Sequence, residues 1–239
     1  MRILIVVPTF NERDNLPMLV RSLLKHPDYR VLVVDDGSPD CTGAVANALS
    51  LEYGGRVCCL HRSGPRGLGL SYVEGFTQAV ASDADFICQM DADLSHATAD
   101  LPTMIAAAKD CDLVLGSRYV PAGETPGWPS SRRLLSRCAN WYARTIMTLT
   151  QRDCTSGFRC WRREALARLD LQCVLSRGYA FQVEMLKAAV DAGFSISEVP
   201  ISFRKRVYGT SKMSAGVIAE SALLPWRLRA RAYGVSASR

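Results

Sequence analysis

Residues 86–96 read FICQMDADLSH, and this stretch decides the predicted fold. Its first five residues are mostly apolar, which is typical of a short buried strand. The polar cluster DADLSH follows at once. Where helices cover both faces of a parallel sheet, the strands are apolar throughout and ligands bind beyond their carboxyl ends. The stretch therefore predicts a strand inside such a sheet, with a binding site at the end of the strand.

The same alternation of buried strand and polar cluster runs through the first 120 residues. Short apolar runs predict strands at residues 2–7, 31–34, 56–60, 86–90 and 113–116. Helical spacing of apolar residues predicts helices at residues 14–25, 41–51, 70–80 and 101–108. The clusters that follow the strands are PTFNE, DDGSPD, RSGPRGLG, DADLSH and GSRY. Because the carboxyl ends of parallel strands meet at one edge of a sheet, all five clusters are expected at a single edge.

The second half of the chain is less regular. A loop is predicted at residues 124–131. Helices are expected at residues 134–149 and 178–192, and strands at residues 158–161 and 194–203. Residues 204–213 are interpreted as a basic, glycine-containing loop, and residues 215–232 as a final amphipathic helix. Since no linker or internal repeat interrupts the sequence, we expect one α/β domain over residues 1–239. It should contain a mostly parallel sheet sandwiched by helices, with an elaborated C-terminal half.

Composition and charge exclude several classes of protein. The formal net charge of +6 fits either an anionic partner or a solvated basic surface. No zinc-finger spacing, RNA-binding aromatic signature or basic region leading into heptads is present, so no nucleic-acid partner is expected. Nine scattered cysteines without a CxxC pair indicate free thiols in a reducing cytosol. No window holds the roughly 20 apolar residues that span a bilayer, so a membrane would be met only at its surface.

Asp91 and Asp93 are the strongest candidates for a metal site. They flank one small residue, Ala92, at the predicted end of a strand, where both carboxylates can approach one hard cation. Mg²⁺ and Mn²⁺ prefer carboxylate and phosphate oxygens as ligands. A metal here would neutralise a diphosphate leaving group. The alternative interpretation is an acidic turn that caps the next helix.

Two further clusters are candidates for binding a nucleotide. In PTFNE, Phe10 can stack on a base and Glu12 can hydrogen-bond to it, although this segment also suits a helix-entry loop. In DDGSPD, Asp35 and Asp36 can accept hydrogen bonds from a ribose or base, whereas a turn with a helix cap explains the same residues.

A glycine-rich loop and a set of basic residues are candidates for binding phosphate. The loop GPRGLG includes Gly67 and Leu68, and its backbone amides can approach phosphate. It matches neither the GxGxxG fingerprint nor a P-loop, which argues against a dinucleotide oxidoreductase. Arginine binds phosphate oxygens in a bidentate fork, and solvated surface charge is the alternative. The basic residues expected in loops are Arg118, Arg132, Arg133, Arg206 and Lys212.

Taken together, these motifs resemble the family-2 glycosyltransferases of GT-A fold, and most closely the polyprenyl-phosphate mannosyltransferases, of which the dolichol-phosphate enzymes are part. The matching segments are PTFNERDNL, VVDDGSPDCT, GLGLSYVEGF, MDADLSH, GSRYVPAG, WPSSRRLLSR, SGFRCWRREAL, GYAFQVEML, EVPISF and RVYGTSK. They cover nearly the whole chain in the family's order. Ten ordered segments are far more specific than any single motif.

The resemblance implies roles for individual residues. The implied donor-binding set is Pro8, Thr9, Phe10, Glu12, Asp35, Asp36, Gly67, Leu68, Asp91, Ala92 and Asp93. Asp91 and Asp93 would bind Mg²⁺ or Mn²⁺, with Ser95 at a position where the family can supply a further ligand. The residues implied to grip the acceptor phosphate are Arg118, Arg132 and Ser211, to which we add Arg133 from its adjacency to Arg132. Arg206 and Lys212 complete the implied catalytic set, in a loop that closes over the phosphates.

The resemblance also implies the reaction and its setting. Residues 1–120 would bind the nucleotide sugar, residues 121–214 the acceptor, and residues 215–239 would form a C-terminal helix and tail. The expected reaction is an inverting transfer of mannose from GDP-mannose to a polyprenyl monophosphate. This phosphate is already charged near neutral pH, so no general base is required. The expected location is the cytoplasmic face of a membrane, as a peripheral protein.

Three alternatives remain at this point. The donor can instead be UDP-glucose or another UDP-hexose. The chain can be a nucleotide-sugar-binding subunit without catalysis, although the intact DAD motif argues against this. Finally, the last helix can either lie on an anionic membrane surface or dock on the protein core. Its apolar residues, which lie beside arginines, are Leu223, Leu224, Trp226 and Leu228.

Overall fold

The computed structural model describes residues 1–206, 223 and 225–229 of the chain. Its strands are β1 (Ile3–Thr9), β2 (Tyr29–Asp35), β3 (Val57–His61), β4 (Phe86–Gln89), β5 (Leu113–Ser117), β6 (Arg159–Arg162) and β7 (Ile196–Pro200). They form one sheet in the order β3-β2-β1-β4-β6-β5-β7. Neighbouring strands are parallel except around β6, which is antiparallel to both β4 and β5. The predicted α/β fold with a mostly parallel sheet is confirmed.

The helices cover the sheet on both faces. They are α1 (Leu16–Leu23), α2 (Thr42–Glu52), α3 (Leu68–Val80), α4 (Leu101–Ala107), α5 (Ser130–Met147), α6 (Arg163–Ala167) and α7 (Phe181–Asp191). Short 3₁₀ turns lie at Thr98–Asp100 and Leu171–Cys173. Alternate residues of β1 point to opposite faces, so Ile5 packs with α1, α2 and α4, whereas Val6 packs with α3, α5, α6 and α7. This double burial explains why the strands are apolar throughout.

The direction of β6 brings an additional segment to the binding edge. The parallel strands β1, β2, β3, β4, β5 and β7 all end at that edge, whereas the antiparallel β6 begins there. The loop before β6, residues 153–158, therefore lies beside the clusters that follow the other strands. The sequence predicted the position of this strand but not its direction, because apolar periodicity is the same in both directions.

The start of α5 corrects the sequence-based prediction. A loop was expected up to residue 131 and a helix only from residue 134, but α5 begins at Ser130, directly after an extended Pro129. Arg132 and Arg133 consequently lie in the first turn of a helix and not in a loop. Residues 131–135 are all exposed, so this turn carries no apolar spacing that would have revealed it. The five-residue α6 was also missed, because it is too short to show a helical period.

The C-terminal helix predicted at residues 215–232 is described only in part. Residues 223 and 225–229 are helical, and Leu228 is buried in the core beside α3 and α7. Leu223 and Trp226 remain exposed. The candidates Ser211 and Lys212 lie outside the described residues. Within the described part of the chain, no helix has the length and apolar character needed to cross a membrane.

Candidate active site

Asp91 and Asp93 follow β4 directly, at the centre of the binding edge. The Asp93 carboxylate accepts a hydrogen bond from the backbone N–H of Ser95 (3.1 Å), and Nη2 of Arg206 lies 3.5 Å from its other oxygen. Leu94, between them, has a φ of +62°, in the left-handed region, which turns the chain so that the Ser95 amide faces back to Asp93. The Asp91 side chain is one-third exposed, at 34 %, and is therefore accessible to a ligand.

His96 contacts both the backbone and the carboxylate of Asp91. Its Nδ1 accepts a hydrogen bond from the backbone N–H of Asp91 (3.1 Å), and its Nε2 lies 3.9 Å from the Asp91 carboxylate. The ring is buried, stacked on Phe158 at 4.7 Å and edge-on to Phe203 at 5.1 Å. Burial lowers the pKa of His96 to about 4, so the imidazole is neutral near neutral pH. With Nδ1 as the acceptor, the proton of the neutral ring is on Nε2.

The atoms around Asp91 and Asp93 fit a hard divalent cation. Ser95 Oγ is buried and has no hydrogen-bond partner among the described residues, so it can offer an oxygen ligand to such an ion. A Cβ added at Gly157 would lie 3.5 Å from Oδ1 of Asp91, so the glycine leaves this carboxylate room. Nowhere in the described residues do three or more His, Cys, Asp or Glu side chains surround a common point. The remaining ligands would therefore have to be water and the phosphate oxygens of a substrate, as is usual for Mg²⁺.

The clusters after β1 and β2 form the second part of the site. Asp35 accepts hydrogen bonds from Thr9 Oγ1 (3.2 Å) and Ser38 Oγ (2.5 Å). Asp36 is held by the buried guanidinium of Arg62 and by the backbone N–H of Gly67 (2.8 Å). Both carboxylates thus have protein partners already, and their contact with a donor stays a prediction.

A cavity of about 440 Å³ opens next to these aspartates. The residues that line it are Asp36, Gly37, Pro39, Arg62, Ser63, Gly64 and Arg66. The guanidinium of Arg66 lies over the ring of Phe10, 4.9 Å from its centroid, so Phe10 borders the same region. Glu12, nearby in sequence, accepts a hydrogen bond from Nδ2 of Asn15 (2.7 Å).

Four predicted donor residues have mainly structural surroundings. Pro8 lies within β1 and pairs with Val34 of β2. Ala92 packs into the core between the two aspartates, and Leu68 begins α3 with its side chain against the core. The Gly67 amide donates to Asp36, and a Cβ at this position would come within 2.7 Å of the Arg177 carbonyl oxygen. Only glycine therefore allows this close approach of the two loops.

Arg118, after β5, is fixed by a buried ion pair. Its Nε and Nη2 donate to the two carboxylate oxygens of Asp153, at 2.7 and 2.6 Å, and Nη2 also donates to Thr155 Oγ1 at 2.8 Å. Burial alone would lower the pKa of Arg118, but the contact with Asp153 outweighs it and the pKa is raised. Within the part of the chain that is described, no hydrogen-bond partner holds its Nη1, so this group remains available to a ligand.

Arg132 and Arg206 complete a cluster of three arginines. The guanidinium of Arg132 lies 3.9 Å from the ring centroid of Trp128, and that of Arg118 lies 5.9 Å from the same centroid. Burial lowers the pKa of Arg132, and the charges of Arg206 and Arg118 lower it further. Arg133 is exposed, and no contact in the described structure joins its side chain to this cluster. We call Arg118, Arg132 and Arg206 the arginine cluster.

Residues 4–170 match the protein family Glycosyl transferase family 2. This match spans well over half of the chain. The protein belongs to glycosyl transferase family 2.

Two curated relatives of this glycosyltransferase align over almost its full length. Polyprenol monophosphomannose synthase of Mycolicibacterium smegmatis is 43 % identical over 235 residues, which cover 96 % of this chain and 88 % of the relative. Undecaprenyl-phosphate mannosyltransferase of Micrococcus luteus is 40 % identical over 240 residues, covering 99 % and 98 %. These similarities establish that the chain is a glycosyltransferase and not an oxidoreductase or a binding subunit.

Solved structures share the fold of the glycosyltransferase. Glucosyl-3-phosphoglycerate synthase from Mycobacterium tuberculosis, in complex with phosphoglyceric acid, superposes with a TM-score of 0.67 at 18 % identity. The superposition covers 95 % of this chain and 80 % of that one. The same enzyme with Mn²⁺, uridine diphosphate and phosphoglyceric acid also gives a TM-score of 0.67 at 18 % identity, over 94 % and 78 % of the two chains. At this identity the likeness confirms the GT-A fold alone.

Several residues around the site of this glycosyltransferase received no role in the sequence analysis. They are Arg62, His96, Trp128, Asp153, Thr155 and Tyr179. The pKa of Tyr179 is raised, mainly by burial and also by the charges of Asp91 and Asp93, which outweigh the opposite effect of Arg206. Arg62 and His96 belong to the clusters RSGPRGLG and DADLSH, which the sequence placed at this edge, but neither residue was assigned a role there. Asp153 and Thr155 reach the site only because β6 is antiparallel, which the sequence pattern did not reveal.

Proposed function

We propose that this glycosyltransferase transfers mannose from GDP-mannose to a polyprenyl monophosphate, with inversion at the anomeric carbon and dependence on Mg²⁺ or Mn²⁺. Both relatives above, at 43 % and 40 % identity over nearly the whole chain, are named as enzymes that mannosylate polyprenyl phosphates. The proposed location is the surface of a membrane, at its cytoplasmic face, where a lipid acceptor presents its phosphate.

The arginine cluster beside Asp93 supports this proposal most directly. Arg206 lies 3.5 Å from the Asp93 carboxylate, while Arg118 and Arg132 lie over the same tryptophan ring. A reaction between two phosphorylated substrates concentrates negative charge, which arginines stabilise through charge-assisted hydrogen bonds. An acceptor with a neutral hydroxyl would leave part of this cluster without a function.

The metal would be held by Asp91 and Asp93, with Ser95 as a further oxygen donor. When bound, it supplies electrostatic stabilisation of the diphosphate that leaves the sugar. Arg206, next to Asp93, would contact the same diphosphate. Ser95 orients the Asp93 carboxylate through its amide, and His96 fixes the backbone of Asp91. These contacts hold both carboxylates in place before the substrate arrives.

Arg118 and Arg132 would bind and orient the acceptor phosphate. A phosphate monoester is largely dianionic near neutral pH, so its oxygen can attack the anomeric carbon without losing a proton to the protein. The surrounding carboxylates suit this mechanism, because Asp36 and Asp153 are both engaged in ion pairs with arginines. Positioning and charge stabilisation then provide the catalysis. In this proposal residues 1–120 bind the donor and residues 121–214 the acceptor, except that Arg118 contacts the acceptor phosphate and Arg206 the donor diphosphate.

A transfer assay with the purified protein tests the proposal. GDP-mannose and UDP-glucose are compared as donors for a short polyprenyl phosphate, each with Mg²⁺, with Mn²⁺ and with a chelator. We expect a product from GDP-mannose only, and only with metal. Asp93→Asn should lose transfer, whereas Asp28→Asn, an exposed aspartate between α1 and β2, serves as the matched control and should retain it. Equal transfer from UDP-glucose would reject the donor, and full activity with chelator would reject the metal.

A further inference from the structure

α5 exposes large apolar side chains along one of its faces. Leu134 is 65 % exposed, Leu135 68 % and Trp141 67 %. Leu134 and Trp141 are seven residues apart, so they point in nearly the same direction two turns apart. The exposed Cys138 lies between them. The opposite side of the helix packs on the core through Ala143 and Met147, so the exposed residues form a continuous outer stripe.

The C-terminal helix extends this stripe. Nε1 of Trp226 donates a hydrogen bond to the hydroxyl of Tyr142 on α5 (3.0 Å), which holds the two helices side by side. Leu223 is 59 % exposed and Trp226 56 % exposed, whereas Leu228 is buried in the core. The C-terminal helix therefore packs Leu228 into the core and leaves Leu223 and Trp226 exposed to solvent. We call the exposed set Leu134, Leu135, Trp141, Leu223 and Trp226 the docking face.

The charges around the docking face are positive. α5 carries Arg132, Arg133, Arg137 and Arg144, and its sequence contains no acidic residue. The described part of the C-terminal helix adds Arg227 and Arg229, both exposed. An anionic surface complements this combination of apolar and basic side chains. A second copy of the chain does not, because a symmetric contact would bring the arginines of both copies together.

The docking face is directly connected with the candidate active site. Arg132 lies in the first turn of α5, in contact with Trp128, and Leu134 follows it two residues later. One rigid helix thus joins the arginine cluster to the apolar stripe.

We infer that the docking face is a membrane-binding surface, which holds the protein against an anionic bilayer and sets the arginine cluster at the depth of the lipid phosphates. This inference rests on the proposed function, since it supposes an acceptor that resides in the bilayer. Trp141 and Trp226 occupy the interface between headgroups and chains, where tryptophan is enriched. The leucines insert beside them, and the arginines pair with anionic headgroups.

Vesicle sedimentation tests the binding step. The full chain is mixed with vesicles of phosphatidylcholine alone and of phosphatidylcholine with phosphatidylglycerol. The variant Leu134→Gln/Trp141→Gln keeps good helix formers at both positions. The matched control is Met18→Gln/Leu51→Gln, which replaces residues that are 47 % and 87 % exposed on α1 and α2, on the other face of the sheet.

The wild-type protein and the control should bind the anionic vesicles, and the variant should bind at least about tenfold more weakly. Circular dichroism verifies that all three chains are folded. If the wild-type protein does not bind, or if the variant binds as the wild type does, the inference is wrong. Light scattering tests whether the docking face instead binds a second copy of the chain. If the wild-type protein is a dimer, the variant is a monomer and both bind vesicles equally, the docking face is a dimer interface.

Transfer to two acceptors separates this inference from the proposed function. One acceptor is a long-chain polyprenyl phosphate in anionic vesicles, and the other is a short, water-soluble prenyl phosphate. The variant should lose at least about tenfold in transfer to the first and keep wild-type transfer to the second. Wild-type protein that mannosylates neither acceptor would contradict the proposed function, while its vesicle binding still tests the docking face. Equal loss on both acceptors would overturn the membrane role.

Discussion

Arg118 and Asp153 form a bidentate ion pair, with N–O distances of 2.7 and 2.6 Å, at the edge of the sheet where the catalytic groups meet. Asp153 is fully buried and lies in the loop before the antiparallel strand β6. The pair therefore links the end of β5 to the start of β6. It also fixes the plane of the Arg118 guanidinium, whose Nη1 can donate a hydrogen bond to a ligand.

This geometry predicts that Asp153→Asn damages both stability and acceptor binding. Removing one partner of a buried ion pair leaves an uncompensated charge, at a cost of about 3–5 kcal/mol. The melting temperature should fall, and the KM for the acceptor should rise more than the KM for the donor. Arg118→Lys keeps the charge but loses the bidentate geometry, so it should also raise the KM for the acceptor. An Asp153→Asn enzyme with wild-type acceptor KM would show that the pair is only structural.

Arg132 and Arg133 provide an internal comparison, since they are adjacent and chemically identical. Both side chains are exposed, but Arg132 stacks on Trp128 within the arginine cluster, whereas no contact in the described structure joins Arg133 to it. A charge-assisted hydrogen bond contributes about 1.5–3 kcal/mol, so Arg132→Gln should raise the acceptor KM by about tenfold to a hundredfold. Arg133→Gln should change it by less than about threefold, as expected for a surface charge outside the cluster. Equal effects in steady-state kinetics would refute the assignment of Arg132.

Metal binding should depend on the nucleotide. Within the described residues, Asp91, Asp93 and Ser95 are too few to complete a coordination shell, so phosphate oxygens have to supply the remaining ligands. Calorimetry should find that Mn²⁺ binds at least about tenfold more tightly when GDP is present than when it is absent, a coupling of about 1.4 kcal/mol or more. Tight binding of Mn²⁺ to the protein alone would point to ligands outside this set.

Gly157→Ala should reduce activity without unfolding the protein. Its Cβ would lie 3.3 Å from Nε2 of Gln182, a tight contact, and 3.5 Å from Oδ1 of Asp91, so it would fill the space beside the carboxylate without colliding with backbone. We expect a higher Mn²⁺ concentration for half-maximal transfer and a melting temperature close to wild type. An unchanged metal requirement would mean that Asp91 does not need this space.

The sequence predicted the sheet and the acidic motif because both depend on local patterns. Apolar strands ending in polar clusters located Asp35, Asp91 and Arg118 at one edge, and the structure places them there. The direction of β6 depends on tertiary packing and not on a local pattern. Because it was not predicted, the contribution of Asp153 was missed as well. The first turn of α5 was missed for a different reason. It is exposed on all sides, so the apolar spacing that reveals helices is absent at Arg132.

The most direct test of the central proposal is the structure of the product that the purified wild-type protein makes from GDP-mannose and a short polyprenyl phosphate. Mass spectrometry and NMR identify the linkage and the anomeric configuration. We predict a mannosyl phosphate polyprenol with the configuration inverted relative to the donor, formed only when Mg²⁺ or Mn²⁺ is present. A product with retained configuration, or mannose attached to anything other than the lipid phosphate, would contradict the account.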